Sequence, residues 1–185
     1  MSAYRNPVHV ALAASVLALS AAAASQLRAQ GGPQARRPAA AVVPPSLEPA
    51  RSILRHLVGR WRVEVRFAGN FDGAPDASGT RVIQAMFDDL RLEWTEAVDS
   101  SPVRSQGTIG FDSRSGRFFS TGIYSDGSGA ELLTGTLDRA EPVITFSPAA
   151  PAPGAGSFTL RMVDTDHFLW SPLDRGWRAV LTREP

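Results

Sequence analysis

The sequence predicts an all-β fold: an antiparallel up-and-down β-barrel of about ten strands, with a short N-terminal helix closing one end. Three observations carry this. From Trp61 onward apolar and polar residues alternate with period two, the signature of strands with one buried face. The runs are short and separated by Asp-, Ser- and Gly-rich turns. No segment of helical period interrupts them, so consecutive strands are expected to pair in sequence order. A sheet that long must curl, and closure removes its exposed edges. A two-sheet sandwich is the rival arrangement, and turn spacing alone does not exclude it.

The 185-residue chain is 43% apolar and 20% charged with a net charge of +1, an ordinary balance for one globular domain. Both signs are interspersed, so no basic stripe points to nucleic acid. The absence of cysteine excludes disulfides, zinc–thiolate sites and a thiol nucleophile.

The N-terminus reads as an address. Arg5 supplies a minimal positive charge, Val8 to Ala24 is Ala/Ser-rich and uncharged apart from His9, and Ala22-Ala23-Ala24 offers small residues for cleavage. Residues 1–24 are therefore expected to be a signal peptide, with an uncleaved anchor as the alternative. Export to the periplasm or the outside follows, with no membrane span left after cleavage. Residues 25–45, rich in Ala, Pro, Gly, Gln and Arg, have too little apolar periodicity to fold and are expected to form a flexible leader. The barrel domain is assigned to 46–185.

Within it, Ser46 to Leu57 has the makings of three helical turns. Ser46 suits an N-cap, Glu48 meets the helix dipole, and Ile53, Leu54, Leu57 and Val58 share one face. Gly59 ends the helix. His56, in the last turn, suits the dipole better than a metal. The strands are expected at Trp61–Phe67, Thr80–Phe87, Leu90–Val98, Val103–Phe111, Arg117–Tyr124, Ala130–Leu137, Val143–Phe146, Ser157–Val163, His167–Ser171 and Trp177–Thr182. Counting turns by parity places the two long connections, 68–78 and 148–156, at the same end. The opposite end receives short turns and the helix. A closed base with a loop-rimmed mouth is how ligand-holding barrels are built.

Alternation points Trp61, Val63, Val65 and Phe67 inward. In a closed even-numbered meander the last strand returns beside the first. Trp177, Ala179, Leu181 and Arg183 then share the inner face, and Arg183 can lie over the Trp61 indole. Gly59, Trp61 and Arg183 are the expected closure of the base.

Gly59-Arg60-Trp61 after a short helix, with an Arg ending the last strand, resembles the lipocalin (calycin) arrangement. Leu57-Val58-Gly59-Arg60-Trp61, Gly107-Thr108-Ile109-Gly110-Phe111-Asp112 and Gly135-Thr136-Leu137-Asp138, with the ending Asp164 to Glu184, resemble more narrowly a bacterial lipocalin-like family known as a domain of unknown function, number fifteen-seventy-nine. The likeness runs from about Leu57 to Glu184. Asp88-Asp89, in place of a Gly-containing turn, and the Pro/Ala loop at 148–156 depart from the pattern. The resemblance implies a fold and no catalytic activity.

The chemical inventory is thin. His56 and His167 are the histidines left after cleavage, far apart in sequence, so no metal site is assigned. No Gly-x-Ser-x-Gly elbow or phosphate loop is present. Most aspartates, such as Asp88, Asp112, Asp126 and Asp174, sit where turn chemistry explains them. Glu96 differs, because it continues the face of Leu90, Leu92 and Trp94. Gln84, between Val82 and Met86, has a similar ambiguity. Phe67, Trp94, Phe158, Trp170 and Trp177 lie in inward registers. Core packing is the simpler account of Trp94 and Phe158, whereas Trp170 and Trp177 flank a mouth loop and suit a pocket wall equally well.

The expectation is thus non-covalent binding of a small apolar or amphipathic molecule by Phe67, Trp170 and Trp177, with Glu96 as polar handle and no catalytic residue or cofactor. The class-different alternative is an interaction or structural module whose interior is filled by side chains. Two lesser readings are a weak enzyme using Glu96 and a haem barrel. The latter is disfavoured because His167 lies on the opposite parity from Phe168 and Trp170.

Overall fold

The computed structural model describes residues 47–99, 101–138, 140–150 and 156–185. The expected signal peptide, the leader and the Ser46 cap lie outside the described residues, as does the centre of the 148–156 connection.

One helix, α1 (Leu47–Leu57), precedes ten strands: β1 (Gly59–Phe67), β2 (Ala77–Ala85), β3 (Arg91–Val98), β4 (Arg104–Asp112), β5 (Arg117–Tyr124), β6 (Ala130–Leu137), β7 (Val143–Pro148), β8 (Phe158–Met162), β9 (His167–Pro172) and β10 (Trp177–Arg183). Every strand pairs antiparallel with its neighbour in sequence, and β1 pairs with β10, so the sheet is a closed barrel. This excludes the sandwich. The clearest boundary difference is at β2, expected from Thr80 to Phe87. Pairing of Val65 with Ala77 starts the strand earlier, and it ends before Phe87, which is 83% exposed in the turn.

Period-two burial is visible strand by strand. Trp61 and Val63 of β1, Leu92 of β3, Ile109 and Phe111 of β4 and Phe118 of β5 point into one core. Leu133 of β6, Ile144 and Phe146 of β7, Leu160 of β8, Phe168 of β9 and Leu181 of β10 complete it. The helix buries Ala50, Leu54 and Leu57 in this same core. Each of the two leucines adds about 1.5–3 kcal/mol of apolar burial. Arg51 and Arg55 tie the helix to Asp89 in the β2–β3 turn at 3.2 Å each. These pairs are exposed and hold orientation more than they add stability.

The even strand count puts the helix and the turns after β2, β4, β6 and β8 at one end, the base. The turns after β1, β3, β5, β7 and β9 form the mouth. The mouth connection after β1 is held by its own polar groups: Asp76 accepts from the Phe67 amide at 2.8 Å, and Arg66 donates to the Gly73 carbonyl at 2.9 Å.

Candidate functional site at the barrel mouth

The base is sealed. Trp61 is fully buried and its Nε1–H donates to the Leu57 carbonyl at 2.8 Å, joining strand to helix. Trp61 and Arg183 are cross-strand partners, and the guanidinium sits 4.2 Å from the indole centroid. Arg183 also donates to the Val58 carbonyl at 2.8 Å and the His56 carbonyl at 2.7 Å. It therefore satisfies acceptors that the end of the helix leaves open, and its charge faces the negative pole of the helix dipole. Gly59 makes room for this: its φ is 146°, and a Cβ there would lie 2.5 Å from Arg183 Nη1. The two histidines among the described residues belong to this end as well. His167 Nδ1 pairs with the Asp164 carboxylate at 2.8 Å in an exposed turn, and His56 Nε2 lies 3.2 Å from the Asp164 carbonyl.

Toward the mouth the packing loosens and aromatic side chains become half-buried. Phe67 and Trp177 are cross-strand partners. Trp177 lies 6.2 Å from Phe158, which stacks on Trp170 at 5.9 Å and 17°. Trp170 in turn meets fully buried Phe146 at 5.4 Å. Phe67, Trp177, Phe158 and Trp170 thus form a continuous wall that descends from rim to core. Phe158, expected as a core residue, packs against the core and belongs to this wall as well.

Glu96 points inward but is not a free carboxylate. Arg81, its partner on β2, gives both Nε and Nη2 to the same carboxylate oxygen at 2.8 and 2.7 Å, and each side chain is 17% exposed. The Arg81 guanidinium also lies 4.8 Å from the Trp94 centroid. Gln84 faces outward and hydrogen-bonds Glu93. Beyond this pair, two groups unnoticed in the sequence line the interior: Tyr124 at the end of β5 and Glu131 near the start of β6. Arg81, Trp94, Tyr124, Glu131 and Trp170 surround an interior cavity of about 60 Å³, which reaches down to Leu57 and Phe168. That is room for a few waters. A larger depression of about 630 Å³ crosses the outer wall past Thr80, Val82, Thr95 and Gln106. Of its charged residues, Arg60 and Asp99 pair with Glu184 and Arg62, Glu96 pairs with Arg81, and Arg104 donates to the Ser101 carbonyl. The inner cavity is the one that sets tryptophan faces beside Arg81 and Glu131.

Burial raises the Glu131 carboxyl above the ordinary glutamate value, and a hydrogen bond from the Tyr124 hydroxyl offsets part of this. Burial likewise raises the Tyr124 phenol, with Glu131 adding to the effect, so it stays protonated and donates. The folded state therefore disfavours the Glu131 anion. The resulting cost is absent below the unfolded glutamate pKa and grows as pH rises through the raised folded value. Glu131→Gln is expected to melt higher than the wild type at pH 8 and equally at pH 4, as thermal melts by circular dichroism would show.

Among the described residues no group of three or more His, Asp or Glu side chains is placed to hold a metal. None of their helices is long and apolar enough to cross a membrane, a statement that does not bear on strands.

Fold and site together define a class: a closed ten-stranded antiparallel barrel with a helix-sealed base and an aromatic-walled mouth. The particular family follows from comparison with known families. Residues 46–169 match the one described as "Protein of unknown function (DUF1579)", and the chain belongs to it. The match stops within β9, short of Trp170, Trp177 and Arg183. No curated protein matches the chain.

Proposed function

We propose that this is an exported barrel, periplasmic or extracellular, which binds a small apolar or amphipathic molecule non-covalently at its mouth. The observation that carries the reading is the continuous wall of Phe67, Trp177, Phe158 and Trp170. Four large aromatic side chains left half-buried in one run offer apolar surface that a ligand can cover, at about 25 cal/mol per Å². The small interior volume limits the geometry: the ligand lies along the wall and inserts one end, and is not swallowed whole. Nucleic acid has no part in this reading, because the charges of both signs are interspersed along the chain and form no basic stripe.

The same small volume favours the second reading, a module with a filled interior that works through its loops. Titration with 1-decanol separates the two. Mouth binding is expected to change tryptophan emission in a saturable way, with the change largely lost in a Trp170→Phe, Trp177→Phe double variant that still melts cooperatively. Emission unaffected by 1-decanol up to its solubility limit would favour the filled module.

A further inference from the structure

The sign of the charge inside the barrel selects among amphipathic ligands. Arg81 and Glu131 both line the inner cavity, and Arg81 is ion-paired to Glu96. Arg81 directs Nε and Nη2 at one Glu96 oxygen, at 2.8 and 2.7 Å. Glu131 has no cation within ion-pairing distance among the described residues, and the Tyr124 phenol is its polar neighbour. Trp94 and Trp170 present aromatic faces to the cavity, and Trp94 already carries a guanidinium over one face at 4.8 Å. Ring faces of this kind attract cations and give anions nothing.

We propose that the interior cavity takes the ammonium head of an amphipathic primary amine, with Glu131 as its counter-charge and the Trp170–Phe158–Trp177 wall as the seat of its apolar tail. The inference rests on the mouth-binding reading and adds the headgroup. Size supports it: about 60 Å³ admits a head no larger than a few waters and excludes a bulky one. Position supports it too, since Trp170 belongs both to the cavity lining and to the wall that leads to the rim. An ammonium there would donate to the Glu131 carboxylate in a charge-assisted hydrogen bond, beside the Tyr124 phenol that also lines the cavity.

The test uses three probes of equal tail length at pH 7.5, each below its micellar concentration: decylammonium, 1-decanol and decanoate. Binding is followed by calorimetry and tryptophan emission. Decylammonium is expected to bind about tenfold tighter than 1-decanol, with decanoate weakest. Glu131→Gln is expected to abolish the ammonium advantage, so that decylammonium and 1-decanol bind within about twofold of each other. Decanoate equal to or tighter than decylammonium would overturn the proposal, as would an ammonium preference that survives in Glu131→Gln. Equal binding of all three probes would remove the headgroup assignment and leave the mouth-binding reading intact. Binding of none would remove both. The probe ranking on the wild type decides the matter even if the variant fails to fold.

Discussion

Trp61→Ala is expected to lose about 3–5 kcal/mol of stability, the range for removing a fully buried large aromatic. For a domain of this size that lowers the melting temperature by about 10 °C or more. The indole does three separate things. It fills the base beneath the helix, touching Phe168 edge-on at 4.7 Å. Its Nε1–H satisfies the Leu57 carbonyl at the end of α1. Its face carries the Arg183 guanidinium, which in turn binds two more helix-end carbonyls. Truncation therefore opens a cavity and frees Arg183 from its seat, and both loosen the helix. Trp61→Phe separates the contributions: it keeps most of the apolar volume and removes the donor, so a loss of about 1 kcal/mol is expected. Chemical denaturation measures both variants. Binding of 1-decanol at the mouth should survive in the folded fraction of each, because Trp61 stands at the base end of β1 and its aromatic partner is Phe168, outside the wall. A stable Trp61→Ala protein that had lost 1-decanol binding would move the indole out of the base and into the site.

How much of this could be read from the chain depends on which physical signal each feature leaves. The barrel left a strong one, since period-two alternation and evenly spaced turns fix strand number, and strand number fixes by parity which loops share an end. The stacking of Arg183 on Trp61 followed from the same count. Glu96 was legible as inward because it extends the Leu92, Trp94 face. Its partner was not. Arg81 sits between Thr80 and Val82, with Ile83 beyond, where apolar residues occupy both parities, so alternation there assigns no inner face. Register supplies what the pattern lacks: β1 places Trp61 opposite Arg81, and β3 places Glu96 opposite Arg81 from the other side. Tyr124 and Glu131 were readable in principle. Tyr124 shares parity with buried Phe118 and Ser120, and Glu131 with buried Leu133. Both stand at strand ends next to turns, where a polar residue is ordinarily taken as solvated. The width of the interior left no trace in the sequence, because it depends on how far side chains from opposite walls reach toward each other.

That reach is set in part by two glycines, and Gly107→Ala is expected to be the most damaging small substitution in the mouth half of the barrel. Gly107 and Gly122 are cross-strand partners on β4 and β5 with no side chain on the inner face, and the Trp94 ring lies against the hollow they leave. A Cβ at Gly107 would overlap the Thr121 carbonyl group, with its carbon at 2.7 Å, and would lie 2.8 Å from Trp94 Cζ2. The first contact is with backbone, so no rotamer change relieves it. The pairing of β4 with β5 must shift, at the upper end of the cost of overpacking a core, about 3 kcal/mol. The second contact pushes Trp94 toward the cavity, and the Arg81 guanidinium resting on its face moves with it, together with the ion pair to Glu96. Stability and the interior site should therefore fail together in Gly107→Ala, unlike in Trp61→Ala, where they separate. At Gly122 the same added Cβ would stay 3.4 Å from Trp94, an ordinary contact. Gly122→Ala is accordingly expected to cost under about 1.5 kcal/mol and to keep its 1-decanol response. Denaturant melts and tryptophan emission of the two variants, side by side, measure whether the hollow beneath Trp94 holds the site in shape. Equal stability of Gly107→Ala and the wild type would show that it does not.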